Sequence, residues 1–177
     1  MRKFLFLPLL ALLASCGKNE DCDIVTPQPE DLVSPALYAT LSQSSTDPYN
    51  GPLEVLPCET NGSFYIGNYT AKGKQVPFPA YYLITNGIGK SQKYPLRLPV
   101  GTYNVIYWGY PDYFGTAGDA YLTDPTLIIG KKLNTTSLGL RKIPGDTVYY
   151  PIHSLVYGTQ NINIGKDDLQ AHLKHAS

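Results

Sequence analysis

The stretch Leu98–Pro111, LPVGTYNVIYWGYP, decides the fold class of this 177-residue chain. β-branched and aromatic residues, which favour strands, follow one another here with no helical spacing. Because side chains of a strand alternate between its two faces, Tyr103 and Tyr107 lie on one face, and Ile106 and Trp108 on the other. Both faces are mostly apolar, which predicts a central strand that is covered on both sides.

The rest of the chain has the pattern of short strands separated by turns. It contains 15 Tyr, 16 Gly and 15 Pro, a composition that suits pleated surfaces and tight turns. Asn86-Gly87 is a strong hairpin signal. Without helix–strand alternation, the pattern predicts one all-β domain over 36–177, an antiparallel Greek-key β-sandwich. The other predicted strands are Leu37–Leu41, Leu53–Leu56, Ser63–Tyr69, Ala80–Thr85, Tyr94–Leu98, Thr126–Leu133, Ser137–Lys142, Val148–Tyr150, Leu155–Tyr157 and Asn161–Ile164.

The last residues, Lys166–Ser177, predict a short C-terminal helix. Asp167 or Asp168 supplies an N-cap, and Leu169 and Leu173 share one face at i, i+4. No C-cap and no closing strand follow. Two interpretations stay open: a lid at the edge of the sandwich, or a reading frame truncated within a larger two-domain protein, which we favour slightly.

The N-terminus has the order of a secretory signal. Arg2 and Lys3 precede the apolar run Phe4–Leu13, which is too short to span a bilayer. Small residues then lead to Cys16, an arrangement that resembles the lipobox of bacterial lipoproteins. The resemblance implies cleavage of a signal peptide at 1–15 and acylation of Cys16, which anchors the chain to the outer membrane. The alternative is an ordinary secretory signal that ends near a cysteine.

Residues 16–35 are expected to form a flexible tether, because they are rich in charge and proline and poor in apolar surface. Glu20, Asp21 and Asp23 resemble the acidic export signal of Bacteroidetes-type lipoproteins, in which the anchor is moved to the cell surface. The other interpretation is a solvated spacer.

Two cysteines remain after lipidation of Cys16. A disulfide between Cys22 and Cys58 suits an oxidising compartment and would stabilise the fold by roughly 3–4 kcal/mol. Two free thiols are the alternative. A metal site is disfavoured, because neither cysteine has a second Cys or His at a ligand spacing.

No arrangement of residues points to catalysis, and no cofactor is expected. Ser154, next to His153, lacks the flanking glycines of a nucleophile elbow, and the chain has no phosphate-binding or dinucleotide fingerprint. His172 and His175, at i, i+3 on the predicted helix, would need a third ligand to hold a metal, so a polar face is the favoured interpretation. After loss of the signal, 12 basic and 14 acidic side chains remain, with no basic stripe for nucleic acid.

Two weaker patterns concern carbohydrate. The loop aromatics Tyr110, Tyr113 and Phe114 either stack on the apolar faces of a bound glycan or simply cover the sandwich. Asp146-Thr147-Val148 resembles the short O-glycosylation sequon of Bacteroidetes-type secreted proteins, which implies a modified Thr147.

Taken together, the lipobox, the Asp- and Cys-containing tether, Leu98–Gly109 and the later DTVYYPIHSLVYGTQNINI resemble the fimbrillin superfamily, especially the lipoprotein anchor subunits of Bacteroidales fimbriae. The resemblance implies two tandem transthyretin-like sandwiches, attachment through lipid, and assembly by donating a strand to a neighbouring subunit. This chain is too short for the second sandwich.

Two functions follow from these patterns. The first is a non-catalytic surface lipoprotein that acts as a fimbrial anchor or accessory subunit, with fimbrial subunits as partners through strand donation. The second is a glycan-binding surface lipoprotein of a nutrient-uptake system, which would use the loop aromatics.

Overall fold

The computed structural model describes residues 27–41, 46–60, 64–111, 125–150, 155–165 and 170–174. The described residues form β-strands and two short 3₁₀ turns, Pro29–Asp31 and Leu133–Thr135. The strands are β1 Leu32–Val33, β2 Ala36–Thr40, β3 Gly51–Glu59, β4 Asn68–Tyr69, β5 Gln75–Val76, β6 Ala80–Thr85, β7 Ile88–Ser91, β8 Leu98–Pro99, β9 Gly101–Gly109, β10 Val156–Ile164 and β11 Gln170–Lys174.

Seven of these strands form one sheet in the order β10-β9-β3-β6-β7-β2-β11. Two small pairs, β1–β8 and β4–β5, lie beside it. Neighbouring strands pair antiparallel, except that β11 runs parallel to β2. The predicted all-β, mainly antiparallel fold is therefore confirmed.

β9 has a strand on each side, as its two apolar faces predict. It pairs with β3 from Glu59↔Tyr103 to Leu53↔Gly109, and with β10 along the whole length of that strand. Val105 and Tyr107 are fully buried on the inner face. On the outer face Trp108 is also buried, at 7 % exposure, so the central position of this strand is confirmed on both faces.

The sheet has to curl, because the chain crosses from one end of it to the other in very few residues. Only residues 165–169 separate β10, at one end of the sheet, from β11, at the other. Six residue steps span at most about 21 Å, whereas the end strands of a flat seven-stranded sheet are about 29 Å apart. The two end strands are indeed in contact.

Curling brings the inner faces of strands from both halves of the sheet into a single core. Tyr107 lies across the sheet from Gly158, where an added Cβ would meet the tyrosine ring at 2.6 Å, so the glycine makes room for the ring. The fully or almost fully buried members of this core are Leu37, Ala39, Tyr49, Leu53, Val55, Ala80, Tyr82, Ile84, Leu96, Leu98, Val105, Tyr107, Ile162 and Ile164.

The predicted Asn86-Gly87 turn joins β6 to β7, with Thr85 opposite Ile88. Asn86 has φ 50° and Gly87 φ 76°, the left-handed pair that a two-residue hairpin requires. The pattern missed β7 itself, whose four residues carry only one large apolar side chain.

The predicted strand Tyr94–Leu98 is wrong up to Arg97, since only Leu98 lies in a strand. The cause is a buried side chain that takes the place of a neighbouring strand. Asn68 donates from its amide to the carbonyl of Pro95 at 2.8 Å and accepts from the N–H of Arg97, also at 2.8 Å. The predicted strand Ser63–Tyr69 is also wrong over Phe64–Gly67: only Asn68 and Tyr69 form a strand, β4, while Phe64 and Tyr65 make isolated bridges and Gly67 has φ 75°. Ser63 lies outside the described residues.

The three strands predicted between Thr126 and Tyr150 are also wrong. In 125–150 the structure has isolated bridges and one 3₁₀ turn instead. This segment, which we call the cover segment, lies on the outer face of the sheet and pairs briefly with Tyr65, whose N–H donates to the carbonyl of Lys131 at 2.9 Å. Three of its leucines pack inward one at a time, at Leu127, Leu133 and Leu138. Because these leucines lie far apart along the chain, the segment can bury them without forming a continuous strand.

The predicted C-terminal helix is wrong over 170–174, which form β11. Gln170 pairs with Ala36 and Lys174 with Thr40. A short helix would leave the outer edge of β2 without this partner, so tertiary pairing overrides the local i, i+4 pattern. The rest of the predicted helix, 166–169 and 175–177, lies outside the described residues.

The folded part also begins earlier than the predicted boundary at residue 36. Pro29–Asp31 forms a 3₁₀ turn, and β1 pairs with β8. The hydroxyl of Ser34 donates to the carbonyl of Leu96 at 2.9 Å, which holds this connection against the core. Earlier tether residues, before Pro27, lie outside the described range.

The Cys58 thiol and the hydroxyls of Tyr82 and Tyr103 are shielded from water, so we predict that the folded protein loses stability at alkaline pH. Burial raises the pKa of Cys58 from 9.0 to about 12, and those of Tyr82 and Tyr103 from 10.0 to about 12. The unfolded chain therefore releases these protons at lower pH than the folded chain, and folding stability falls as pH rises from about 9 towards 12. Urea unfolding under reducing conditions, which keep Cys58 a thiol, followed by circular dichroism should show a free energy of unfolding that declines above about pH 9.

Cys58→Ala is the matched control for this decline. Between pH 9 and 10 the thiol is the first of the three groups to titrate in the unfolded chain. The variant should therefore show a flatter curve in that interval and the parent's slope above it. A parent whose stability is unchanged from pH 8 to 11.5 would contradict the prediction.

Candidate functional site

The outer face of β3, β9 and β10 carries an apolar groove. Strand register places Trp108 between Glu54 of β3 and Tyr157 of β10. One step along, Ile106 lies between Leu56 and Thr159. At the end of the sheet where β10 begins, this outer face is therefore apolar and aromatic.

A groove of about 500 Å³ lies between this face and the cover segment. We call it the outer groove. Its floor is made by outer-face side chains of three strands, and its far wall by the cover segment. Asn134, Thr136 and Ser137 supply the polar part of its lining. The apolar residues that define it are Leu56, Ile106, Trp108, Leu138, Leu155 and Tyr157.

The floor of the groove is a second, smaller apolar cluster. Leu56, Tyr65 and Trp108 are buried in it, and Leu133 and Leu138 of the cover segment pack against them. Buried side chains hold fixed rotamers, so the cluster gives the groove a firm base rather than a collapsible one.

Tyr65 is unusual in this cluster because its hydroxyl is buried with no hydrogen-bond partner among the described residues. Burial, and to a lesser degree the nearby Cys58 and Glu54, raises the pKa of this phenol well above its ordinary value. The hydroxyl therefore stays protonated and neutral. Nothing in this arrangement activates a nucleophile, since the neighbouring Cys58 thiol is also held protonated by burial.

Exposed apolar side chains are frequent in the cover segment and at the start of β10. Of the eleven large ones that the described residues expose, seven lie between Ile128 and Tyr157. Tyr157 is 67 % exposed, the highest fraction among them, and Leu155 beside it is 38 % exposed. Leu155 and Tyr157 both line the groove, and exposed apolar surface beside a groove is typical of a site that binds another molecule.

The strand that borders the groove is also an end strand of the sheet. β10 pairs with β9 on one side, and over Val156–Thr159 no described strand pairs with its other side. An edge strand presents backbone N–H and C=O groups that an added strand can satisfy. Groove and edge therefore meet at the same residues, Leu155 and Tyr157.

The residues predicted to bind glycans are not brought together at this site. Tyr110 is only 6 % exposed, so its ring is not presented for stacking on a sugar. The expectation of an accessible loop aromatic is wrong at this position, because Tyr110 continues directly from β9 and its N–H donates to the carbonyl of Pro52 at 3.4 Å. Tyr113 and Phe114 lie outside the described residues.

The predicted disulfide and lipidation sites are only partly described. Cys58 has a free thiol that is fully buried and contacts the carbonyl of Leu56 at 3.7 Å. Its predicted partner Cys22, and the predicted lipidated residue Cys16, lie outside the described range. The Cys22–Cys58 pairing and the acylation of Cys16 stay predictions.

Thr147 lies in an exposed turn of the cover segment. The carboxylate of Asp146 accepts hydrogen bonds from the N–H groups of Thr147, at 2.6 Å, and Val148, at 3.3 Å. The turn is closed by the N–H of Ile143, which donates to the carbonyl of Val148. Thr147 is exposed in this turn, and its O-glycosylation stays a prediction.

The helical spacing on which a metal site at His172 and His175 would depend is not present at His172. His172 lies in β11, opposite Tyr38, so the helical i, i+3 spacing to His175 does not apply. His153 and His175 are outside the described ranges. Within those ranges no three His, Cys, Asp or Glu residues are grouped so that they could hold a metal ion. A helix long and apolar enough to cross a membrane is likewise not found among the described residues.

The outer groove was missed by the sequence analysis. Tyr157 and Trp108 were both recognised as strand residues, but their pairing across β9 and β10 depends on long-range register. Leu133 and Leu138 were placed in predicted strands, whereas they form the opposite wall. Local patterns carry no signal for a groove of this kind, because its lining comes from segments that are far apart along the chain; Leu56 and Ile106 of the floor, for example, are 50 residues apart.

The fold and the groove define a small all-β module with an apolar groove beside a strand edge. Comparison with family models then assigns the chain. It matches the family described as fimbrillin-A associated anchor proteins Mfa1 and Mfa2 over residues 25–177. The chain belongs to this family of fimbrial anchor proteins, whose role is structural and whose place is the cell surface. No curated protein and no solved structure matches it.

Proposed function

We propose that this protein is a non-catalytic surface lipoprotein that anchors a fimbrium and assembles with fimbrillin-like subunits. Family membership supports the anchoring role. The observation that carries the assembly step is the coincidence, at Leu155 and Tyr157, of an apolar groove with the edge of an end strand.

Strand donation is the mode of assembly that these features favour. An extended segment of a neighbouring subunit would satisfy backbone groups of the β10 edge over Val156–Thr159, and alternate side chains of that segment would lie on the outer face. Backbone pairing supplies affinity that depends little on sequence, whereas the groove supplies contacts that depend on the side chain.

Attachment to the membrane is proposed to occur through an acylated Cys16. The first described residue, Pro27, lies at the end of the sheet away from the start of β10, with its carbonyl oxygen 3.1 Å from where a Cβ of Gly73 would be. Gly73 lies in the turn between β4 and β5, and Asn68 of β4 bonds Pro95 and Arg97, just before β8. β8 ends two residues before Gly101, at the beginning of β9. Trp108 is seven strand steps further on, about 23 Å away.

This separation favours a specific orientation of the domain. With the tether leaving at one end of β9 and the outer groove lying towards the other, the groove faces away from the lipid. Subunits could then dock without approaching the membrane. Thr147, in the cover segment, is proposed as an O-glycosylated residue on the same exposed surface.

Complex formation tests the proposal. The full chain, extracted from membranes in mild detergent, should co-purify with fimbrillin-like subunits of the same cells in a fixed ratio and should appear at the base of isolated fimbriae by immunogold labelling. A chain that is abundant at the surface but never recovered with such subunits would refute the assembly step.

A further inference from the structure

We infer that the end of the domain from which the tether leaves is a second membrane contact, a cationic and aromatic surface that lies on the anionic phosphate groups of the lipid headgroups. The inference rests on the proposed attachment through Cys16 and states which end of the domain meets the lipid. We call this surface the tether-end surface; it consists of Lys72, Lys74, Phe78, Lys93, Tyr94 and Arg97.

The first step of the argument is a separation of charge along the chain. No Asp or Glu lies between Glu59 and Asp112, whereas the same stretch contains four lysines and one arginine. The whole chain has 14 basic and 14 acidic side chains, so this stretch departs from an otherwise balanced composition. A surface built from it is positive, which favours an anionic partner.

The tertiary structure gathers four of these cations around one hairpin, β4–β5. Lys72 and Lys74 are exposed in its turn. The guanidinium of Arg97 donates to the carbonyl of Tyr69, the last residue of β4, at 3.3 Å. Lys93 is exposed as well and, four residue steps before Arg97, lies within about 14 Å of it.

Two aromatic rings complete the tether-end surface. Phe78 and Tyr94 stack with their ring centroids 5.1 Å apart, and the ammonium group of Lys93 lies 5.4 Å from the centroid of the tyrosine ring. Phe78 is 47 % exposed and belongs to neither apolar cluster of the domain. Aromatic rings beside lysines are typical of a membrane–water interface, where the ring enters the headgroup layer and the ammonium group stays at the phosphates.

The tether places this surface close to the membrane. The carbonyl oxygen of Pro27 lies 3.1 Å from where a Cβ of Gly73, between the two lysines of the turn, would be. Eleven residue steps separate Pro27 from Cys16, so the acylated residue is at most about 40 Å from this end. Glu30 and Asp31, in the 3₁₀ turn nearby, offset only two of the four cations. A weak electrostatic contact that is held so near its partner gains from the high effective concentration.

The contact would orient the domain, which a flexible tether alone leaves free to turn. With the tether-end surface on the lipid, the outer groove would lie at the far end of β9, away from the bilayer. Each lysine near the surface raises binding to anionic lipid about fivefold at low salt. Salt screens this attraction, so the contact is expected to weaken as ionic strength rises.

Vesicle binding tests the tether-end surface without the lipid anchor. The chain 17–177 lacks Cys16 but contains every described residue. At low salt it should co-sediment with vesicles made of equal parts of phosphatidylglycerol and phosphatidylcholine. Its binding to vesicles of phosphatidylcholine alone should be at least about tenfold weaker, and high salt should abolish the difference.

Lysine substitutions locate the contact. Lys72→Gln combined with Lys74→Gln should weaken binding to the anionic vesicles about tenfold or more. Lys131→Gln combined with Lys142→Gln is the matched control, because it removes the same charge from exposed positions of the cover segment. It should bind like the parent. Circular dichroism verifies that both variants are folded.

A second readout uses the acylated full chain in the same anionic vesicles. Lys72 and Lys74 should react several times more slowly with an amine-acylating reagent than they do in a nonionic detergent, which has no phosphate groups. Lys131 should react equally fast in both. Peptide mass spectrometry measures the three rates.

Three results would overturn the inference: equal binding of the parent and the variant at Lys72 and Lys74, no preference for anionic vesicles, or binding of dextran sulfate but not of vesicles. So would a parent chain that binds only after Glu20→Gln, Asp21→Asn and Asp23→Asn, because the acidic tether would then occupy the surface itself. Failure of the proposed function is distinguishable, since the vesicle assay of 17–177 needs neither acylation nor a fimbrial subunit.

Discussion

Cys16→Ser should release the protein from the membrane. We expect the parent chain almost entirely in the detergent phase of a Triton X-114 separation and the variant almost entirely in the aqueous phase or uncleaved at its signal peptide. The physical reason is that each buried methylene of an acyl chain contributes about 0.8 kcal/mol, so two or three chains give an attachment that one chain cannot provide. Among the described residues no helix could take their place in the bilayer.

Cys22→Ser is the matched control for this result. It removes a cysteine six positions further along, outside the lipobox pattern, and should leave the chain in the detergent phase. A Cys16→Ser protein that is cleaved and stays membrane-bound like the parent would contradict lipid anchoring. Labelling with a fatty-acid analogue, present in the parent and the control and lost in Cys16→Ser, would verify the chemistry directly.

Gly109→Ala should destabilise the domain by about 3 kcal/mol. An added Cβ would meet the backbone carbonyl of Pro52 and the hydroxyl of Tyr49, closer than real Cβ atoms approach such groups. The carbonyl belongs to β3, so it cannot move without disturbing the pairing of β3 with β9. The same carbonyl accepts the hydrogen bond of the buried Tyr49 hydroxyl at 2.7 Å, which the methyl group would disrupt.

Gly101→Ala, at the opposite end of β9, is the control for this substitution. The nearest atom to its added Cβ is the hydroxyl of Tyr103 at 3.2 Å, the end of a side chain that can move. We expect a change below about 1 kcal/mol. Urea unfolding of the two variants, followed by Trp108 fluorescence, gives both free energies. A loss below about 1 kcal/mol for Gly109→Ala would show that β3 and β9 are less tightly apposed than the structure indicates.

The sequence patterns predicted best those strands whose alternating residues match the alternating burial seen in the structure. β6 was predicted residue for residue as Ala80–Thr85, and β2 to within one residue at each end. The Asn86-Gly87 hairpin was also correct, because its positive φ angles are a local requirement that few residues meet. These elements depend on interactions between near neighbours, which a single sequence contains.

The cover segment and the C-terminus show where this reasoning stops. In 125–150 the apolar residues are as frequent as in a strand, but only Leu127, Leu133 and Leu138 pack against the cluster of Leu56, Tyr65 and Trp108, and most of the others are exposed. At 170–174 a helical spacing of leucines gave way to parallel pairing with β2. In both cases the decisive partner is distant in the chain, and no local pattern reports it.

In the candidate site, too, the sequence predicted local structure but not the contacts between distant segments. Trp108 and Tyr157 were identified as strand residues, but their adjacency comes from the β9–β10 register. Tyr110, chosen because it follows a strand and belongs to an aromatic-rich stretch, is buried instead. Aromatic residues suit both cores and binding surfaces, so their presence in a sequence does not indicate which of the two they form.

The amino-acid sequence by itself determined the all-β class, the central place of β9 and the family resemblance, because strand alternation, turn residues and short motifs are properties of neighbouring residues. Only the tertiary structure decided the strand order, the parallel pairing of β11 with β2, and the outer groove. Each of these depends on contacts between segments far apart in the chain, whose register is set by the packing of the whole core.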